Sequence, residues 1–243
     1  MTRDPKPTTP GGPQQPAAAP TEQRRMVDAL ILRMSGDDIN MRIEAIKLLR
    51  DISIPPEKVD EVVDALILKM SDDDLNVRFS AIKSLREISI PTEKVGKVVD
   101  ALIWNLNDPF VRVRIDVIKL LRDLPIPPEK VGEVVDALIL RMVDYDIDVG
   151  IEAIKLLRDL PIPPEKVVEV VDGLIWNLND PFVRMRIDVI KLLRDISIPT
   201  EKVGKVVDGL ILKMSGYGTN VGIDAIKLLR DISIPTEKVG KVV

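Results

Sequence analysis

The sequence predicts an all-α fold, an α-α superhelix or solenoid of six 36-residue helical hairpins, and three observations predict it. Val27, Val63, Val99, Val135, Val171 and Val207 each open a copy of one pattern, 36 positions apart and without insertion, and a self-similar period of about 20 to 50 residues marks a stacked array. Each copy carries two apolar stripes at helical spacing, separated by a short polar link. No stretch alternates apolar and polar residues between turn signals as a strand would. Stacked repeats share one continuous core, so the length of 243 residues describes one elongated body and does not count domains.

The chain opens with MTRDPKPTTPGGPQQPAAAP, which has Pro at 5, 7, 10, 13, 16 and 20 and almost nothing large and apolar. Such a stretch cannot bury enough surface to offset its ordering entropy, so residues 1–20 are expected to form a disordered tail. Pro7-Thr8-Thr9-Pro10 and Pro10-Gly11-Gly12-Pro13 stand without the strong cluster and flanking Arg of an SH3 ligand, which favours a linker. The tail lacks the apolar centre of a secretory signal. No later apolar run nears the roughly 18 residues of a membrane span, so a cytoplasmic protein with no membrane partner is the expectation.

The solenoid is expected over residues 21–243. In the second copy Val59, Val62, Val63, Leu66, Ile67 and Met70 lie at i, i+3, i+4, i+7, i+8 and i+11, one apolar face of a first helix, A. Pro55-Pro56-Glu57 mark its start, since Pro suits the first turn and Glu the positive end of the dipole. An Asp-rich link follows. A second helix, B, is expected from about Asn76 to Ile88, with Val77, Ala81, Leu85 and Ile88 on one side, and Ile90-Pro91 ends it. Two such helices bury their stripes only against each other and against neighbouring repeats.

The link and the start of helix B read Asp72-x5-Arg78-x2-Ala81 with Val77 before the Arg, and variants surround Arg42, Arg114 and Arg186. This pattern resembles the HEAT repeat family, including its short bilin-lyase-type relatives, over residues 21–243. The resemblance implies the fold far more than an activity, and it implies an Arg ladder between repeats. Gly150 and Gly222 stand at the matching position in repeats 4 and 6, so the ladder is expected to break there. Two catalytic relatives, a bilin lyase and a HEAT-like DNA glycosylase, contribute no motif residue that this sequence matches. The tetratricopeptide pattern asks for Trp, Gly and Tyr at set places and a period of about 34 residues, and does not fit.

The copies are unequal. The run from Trp104, WNLNDPFVRVRIDVIKLLRD, returns almost verbatim from Trp176, while repeats 4 and 6 share Tyr145/Tyr217 and Gly150/Gly222, so a double unit of two repeats has been copied. The sequence ends at Val243, one residue into a seventh frame, where either a short cap or a fragment of a longer array is expected.

Composition excludes much chemistry. The chain has no Cys and no His, which removes disulfides, thiol nucleophiles, imidazole bases and the usual zinc ligands. The formal net charge of −4, from 35 basic and 39 acidic residues, offers no large field for nucleic acid or anionic lipid. Asp144-Tyr145-Asp146-Ile147-Asp148 has the alternate acids of a calcium loop, but Val149 and Lys155 stand where an EF-hand needs Gly and Glu; Asp72-Asp73-Asp74 reads as ordinary acids in the same way. Gly216-Tyr217-Gly218-Thr219-Asn220-Val221-Gly222 lacks the strand and the Lys-Ser/Thr of a phosphate loop and reads as a flexible hairpin link. Carboxylate pairs such as Asp51 with Glu57 recur in every repeat, as structural residues do. No catalytic, metal or cofactor-binding residue is assigned, and the protein is read as non-enzymatic.

Helix B carries a basic row: Lys47, Lys83, Lys119, Lys155, Lys191 and Lys227, each with an Arg three positions on. An acid follows every Arg, and Glu44, Asp116, Glu152, Asp188 and Asp224 precede the Lys by three positions in all repeats but the second. The signs cancel within each turn, which disfavours a nucleic-acid groove. Asp28, Asp64, Asp100, Asp136, Asp172 and Asp208 lie beside the helix A stripe and are expected to pair with a basic residue or helix terminus of a neighbouring repeat.

Leu32, Leu68, Trp104, Leu140, Trp176 and Leu212 lie about 140° around helix A from the Val row. A wide buried arc shared with neighbouring repeats is the favoured reading, and an exposed Leu/Trp stripe for a partner is the other. Repeats 3 and 5 alone place Trp104/Trp176 on helix A, Phe110/Phe182 in the link and Arg112/Arg184 beside it. Aromatics with Arg anchor interfaces, and a Phe that merely plugs the hairpin end is the equal alternative. At about 10 Å per repeat the two clusters fall about 20 Å apart on one edge, within reach of one partner. The expected function is a scaffold that binds another protein; a nucleic-acid-binding solenoid and a subunit or chaperone-like factor of a bilin-lyase-type assembly are the alternatives. Oligomeric state is not legible.

Overall fold

Pairs of antiparallel helices follow one another without interruption in the computed structural model, which describes residues 20–214 and 219–232, with 234, 236 and 238. Helices A are α1 (Pro20–Met34), α3 (Val59–Lys69), α5 (Thr92–Asn105), α7 (Pro128–Arg141), α9 (Val167–Asn177) and α11 (Thr200–Met214). Helices B are α2 (Ile39–Asp51), α4 (Leu75–Glu87), α6 (Val111–Asp123), α8 (Ile147–Asp159), α10 (Val183–Asp195) and α12 (Thr219–Asp231). No strand occurs among the described residues. The fold is an α-solenoid of helical hairpins. The Pro-rich tail, Tyr217 with its flanking glycines, and the seventh frame at Val243 lie outside the described residues.

Local chemistry sets the boundaries. The Asp74 carboxylate accepts from the N–H groups of Asn76 and Val77 at 2.8 and 3.2 Å, so α4 starts at Leu75, one residue before the expected Asn76. Asp38 and Asp146 cap α2 and α8 in the same way. Pro56–Lys58 and Pro164–Lys166 form single 3-10 turns that lead into α3 and α9, while Pro128 enters α7 directly. At the other end Ile88 turns extended and helix B stops before the next Pro.

Burial follows the predicted stripe. Val62, Val63 and Leu66 of α3 and its C-cap Met70 are fully buried, as are Val77 and Ala81 of α4, and their counterparts join one core running the length of the array. Helices B contact one another more closely than helices A do. The B layer is therefore the inner surface of a curved stack, and the A layer is spread on the outside.

Three ion-pair ladders join successive repeats. On helices A each Asp meets the Lys that begins the next helix A: Asp28–Lys58 at 2.8 Å, Asp64–Lys94 at 2.9 Å, Asp100–Lys130 at 2.7 Å, Asp136–Lys166 at 2.6 Å, and Asp172–Lys202 and Asp208–Lys238 at 2.5 Å. The expected structural role of this Asp is met. Hydrogen bonds to the carboxylates hold the Lys58, Lys94, Lys130 and Lys166 ammonium groups above their ordinary pKa, and bonds from Lys97 and Lys94 hold Asp64 below its own. At the links Arg42 meets Asp72 at 3.2 Å, Arg78 meets Asp108 at 2.8 Å and Arg114 meets Asp144 at 2.9 Å. Each of these Arg side chains also donates to carbonyls of its own link. At the far end of helix B, Arg50 meets Glu87, Arg86 meets Asp123 and Arg122 meets Asp159.

The Arg ladder breaks at Gly150, as expected, and the gap is filled. A Cβ on Gly150 would lie 2.7 Å from the Met185 Cε. Met185 stands where Val77, Val113 and Val149 stand in other repeats, and it is the single residue by which α10 differs from α6. The longer thioether occupies the space an Arg at 150 would fill.

Candidate functional site

Helix A carries the apolar row on its outer flank. Leu32, Leu68, Trp104, Leu140, Trp176 and Leu212 are between 61 % and 75 % exposed. The favoured reading of a wide buried arc is thus corrected to an exposed stripe. Its physical cause is the spread of the A layer: neighbouring helices A do not approach closely enough to cover the flank. Half-buried isoleucines, Ile31, Ile67, Ile103, Ile139, Ile175 and Ile211, lie one residue before each member of the row, which widens the apolar flank of each helix A. Soluble monomers seldom leave such a strip without a partner.

The two Trp clusters sit where this stripe meets the link edge. Trp104 lines an open cleft of about 380 Å³ with Met70, Asp72, Arg78, Asn107 and Pro109, and Trp176 lines one of about 310 Å³ with Asn177, Asn179, Asp180 and Pro181. Phe110 and Phe182 are 46 % and 55 % exposed, so neither plugs the hairpin. Each occupies the N-cap position of its helix B and makes no side-chain cap. Asp108 and Asp180 accept the Phe N–H instead, at 2.9 and 2.8 Å. Phe stands here where Asp38, Asp74 and Asp146 cap their helices, which forgoes about 0.5 to 2 kcal/mol of helix stability.

Arginines frame these rings unequally. The Arg78 guanidinium lies 5.5 Å from the Phe110 ring centre, and that of Arg112 lies 3.9 Å from Phe79. Arg184, the counterpart of Arg112, pairs instead with Asp148 at 3.1 Å. Trp104, Arg78 and Pro109 therefore form one edge cluster next to Phe110, while Arg112 turns onto the inner face of α4. Phe79 escaped the sequence reading. Its signal was present: it is the one aromatic in a row of isoleucines, Ile43, Ile115, Ile151, Ile187 and Ile223.

The acids of the links are engaged in structure. Asp144 meets Arg114 and accepts the Asp146 N–H at 3.0 Å, Asp146 caps α8, and Asp148 meets Arg184. Burial pushes the Asp72 carboxyl upward in pKa, but the Asp74 N–H, Lys69 and Arg42 outweigh it and hold it below the ordinary value. No cluster that could hold a metal ion occurs among the described residues, and no described helix is long and apolar enough to cross a membrane. On the inner face Lys155 donates to Glu152 at 2.8 Å, Lys191 lies 3.4 Å from Asp188 and Lys227 3.5 Å from Asp224, the expected pairing within a turn, while among the described residues Lys47 and Lys119 do not pair with Glu44 and Asp116.

No family model matches the chain, and no curated protein does. Solved structures do. A designed armadillo repeat protein in complex with the peptide (KR)4 superposes with a TM-score of 0.61 at 17 % identity, covering 85 % of this chain and 99 % of that one. An engineered protein gives 0.58 at 23 % identity, covering 84 % and 95 %. Cex1p gives 0.65 at 14 % identity, covering 91 % of this chain and 44 % of that one. At these identities the likeness is one of fold, a solenoid of helical repeats.

Proposed function

We propose that this chain is a non-catalytic, HEAT-like scaffold that binds another protein along its outer stripe and link edge, with Trp104, Phe110, Arg112, Trp176, Phe182 and Arg184 as the anchors. The observation that carries the reading is that both Trp side chains are 75 % exposed beside open clefts at equivalent places. Large aromatics with Arg supply most of the binding energy at protein interfaces, and clefts at the small end of the ligand-pocket range suit a protruding side chain. The peptide held by the designed armadillo neighbour supports the same use of a repeat surface. Nucleic acid is disfavoured, because the Arg row is largely committed to ion pairs and Lys155, Lys191 and Lys227 each have an acid one turn before them.

The test is capture of a partner by pull-down, followed by Phe110→Ala with Arg112→Ala, the same pair at Phe182 and Arg184, and the combination. Loss at one cluster weakens capture and loss at both abolishes it, with circular dichroism unchanged. Undiminished capture by the combined variant would remove these residues from the interface.

A further inference from the structure

The helices B of repeats 4 and 5 give the inner surface of repeats 2 and 3 a control. On α8 and α10 the cations Lys155, Lys191 and Arg184 pair with Glu152, Asp188 and Asp148. The matching cations on α4 and α6 are Lys83, Lys119 and Arg112, and among the described residues none of these makes an ion pair. Three residues account for the difference at Lys83 and Arg112, while Lys119, like Lys191, has an acid one turn before it, Asp116, and does not pair with it. Ser80 stands in the place of Glu152, so Lys83 has no acid one turn before it. Asn76 stands in the place of Asp148, so Arg112 has no carboxylate to meet. Phe79 stands in the place of Ile151, and its ring holds the Arg112 guanidinium at 3.9 Å.

These groups form one cluster. Phe79, Ser80 and Lys83 share a face of α4, Arg112 reaches onto that face from α6, and Asp116 lies one turn beyond Arg112. Burial pushes the Asp116 carboxyl above its ordinary pKa against the pull of Lys119, Arg112, Arg86 and Lys83. It forms no hydrogen bond or ion pair with them among the described residues. Three of the four cations that act on this acid are without an ion pair of their own among the described residues. The neighbouring Arg86 and Arg122 are already committed, to Asp123 and to Glu152.

We propose that this inner-surface patch of repeats 2 and 3 docks an acidic peptide segment of a partner protein, with its carboxylates on Lys83, Arg112 and Lys119 and its chain across the Phe79 ring. Charge complementarity selects the occupant. The patch is bounded by Glu44 on α2 and Glu152 on α8, in a chain of net charge −4. A long polyanion meets like charge on both sides, whereas a segment with a few carboxylates fits between them. The Phe79–Arg112 stack holds its guanidinium in place before binding, which lowers the ordering cost. The Trp clusters lie on the outer edge, and of their proposed anchors only Arg112, turned onto α4, also belongs to this patch.

The probe is a fluorescein-labelled oligo-glutamate peptide read by fluorescence anisotropy. Saturable binding at low salt should weaken several-fold as salt rises and screens the exposed charges. Ser80→Glu, which installs the acid that silences repeat 4, should weaken it about fivefold or more, as should Arg112→Ala alone, since each loses roughly one charge contact. Trp104→Ala with Trp176→Ala should leave peptide binding unchanged, which separates this patch from the outer interface. Absence of saturable binding, or affinity indifferent to both Ser80→Glu and Arg112→Ala, would overturn the proposal. So would tighter binding of an oligothymidylate of equal charge at the same residues.

Discussion

Replacing Arg114 by Met tests how the repeats are locked together. The Arg114 and Asp144 side chains are each 3 % exposed and meet at 2.9 Å. Arg114 also donates to the Asp108 carbonyl at 2.6 Å, and its guanidinium lies 4.8 Å from the Tyr145 ring centre. Without Arg114, Asp144 keeps Arg141 at 3.5 Å and the Asp146 N–H at 3.0 Å. Breaking a buried pair by removing one partner costs about 3 to 5 kcal/mol, and the two remaining contacts place the expected loss near the bottom of that range, at about 3 kcal/mol. Urea unfolding followed by circular dichroism measures it from the midpoint and slope. The double variant Arg114→Met with Asp144→Leu removes the stranded charge as well, so it should cost less than the two single variants added together, by about 1 kcal/mol or more. A single-variant loss below about 1 kcal/mol, which is the worth of an exposed pair, or strict additivity in the double variant, would refute the reasoning.

Gly150 offers the reverse experiment: Gly150→Arg alone should lower stability because Met185 occupies the space, and Met185→Val in the same chain should restore most of it by letting the new Arg reach Asp180, as read from urea midpoints. Asp100→Asn with Asp136→Asn should lower the melting temperature by only a few degrees, since both carboxylates are about half exposed. The pH dependence follows from the two directions of shift. Asp64, Asp72 and Glu152 titrate below their ordinary values in the fold, so their contribution is present above the unfolded carboxylate pKa and is lost as pH falls through the lowered one. Lys58, Lys94, Lys130 and Lys166 titrate above theirs, so their contribution is present below the unfolded lysine pKa and is lost as pH rises through the raised one. Thermal melts should therefore show a plateau from about pH 5 to 10 with loss on both sides, and a maximum confined to either flank would contradict the ladders.

The period of the Val rows and the Pro that ends helix B were enough to specify the hairpins, because both signals act locally through helical spacing and backbone geometry. The Asp row on helix A was legible too, since a charge beside a core stripe needs a partner. The Leu/Trp row was misjudged because its exposure depends on how far helices A are splayed, which the packing of helices B determines and no single-helix pattern records. The Gly150–Met185 exchange shows the same limit: each residue looks like a local irregularity until the stack puts one into the space of the other. Phe79 and Arg112 are 33 positions apart and became a pair only when α4 and α6 were laid side by side.

The chain has two Trp residues, and both are proposed interface anchors. Labelling this chain alone with 5-fluorotryptophan gives two fluorine resonances, each with a solvent-isotope shift that reports water contact. In the free protein both should show a large H2O–D2O difference, as 75 % exposure requires. In the complex with the captured protein both differences should collapse. Two resonances that keep their full isotope shift in the complex would contradict the central claim and place the partner elsewhere on the solenoid.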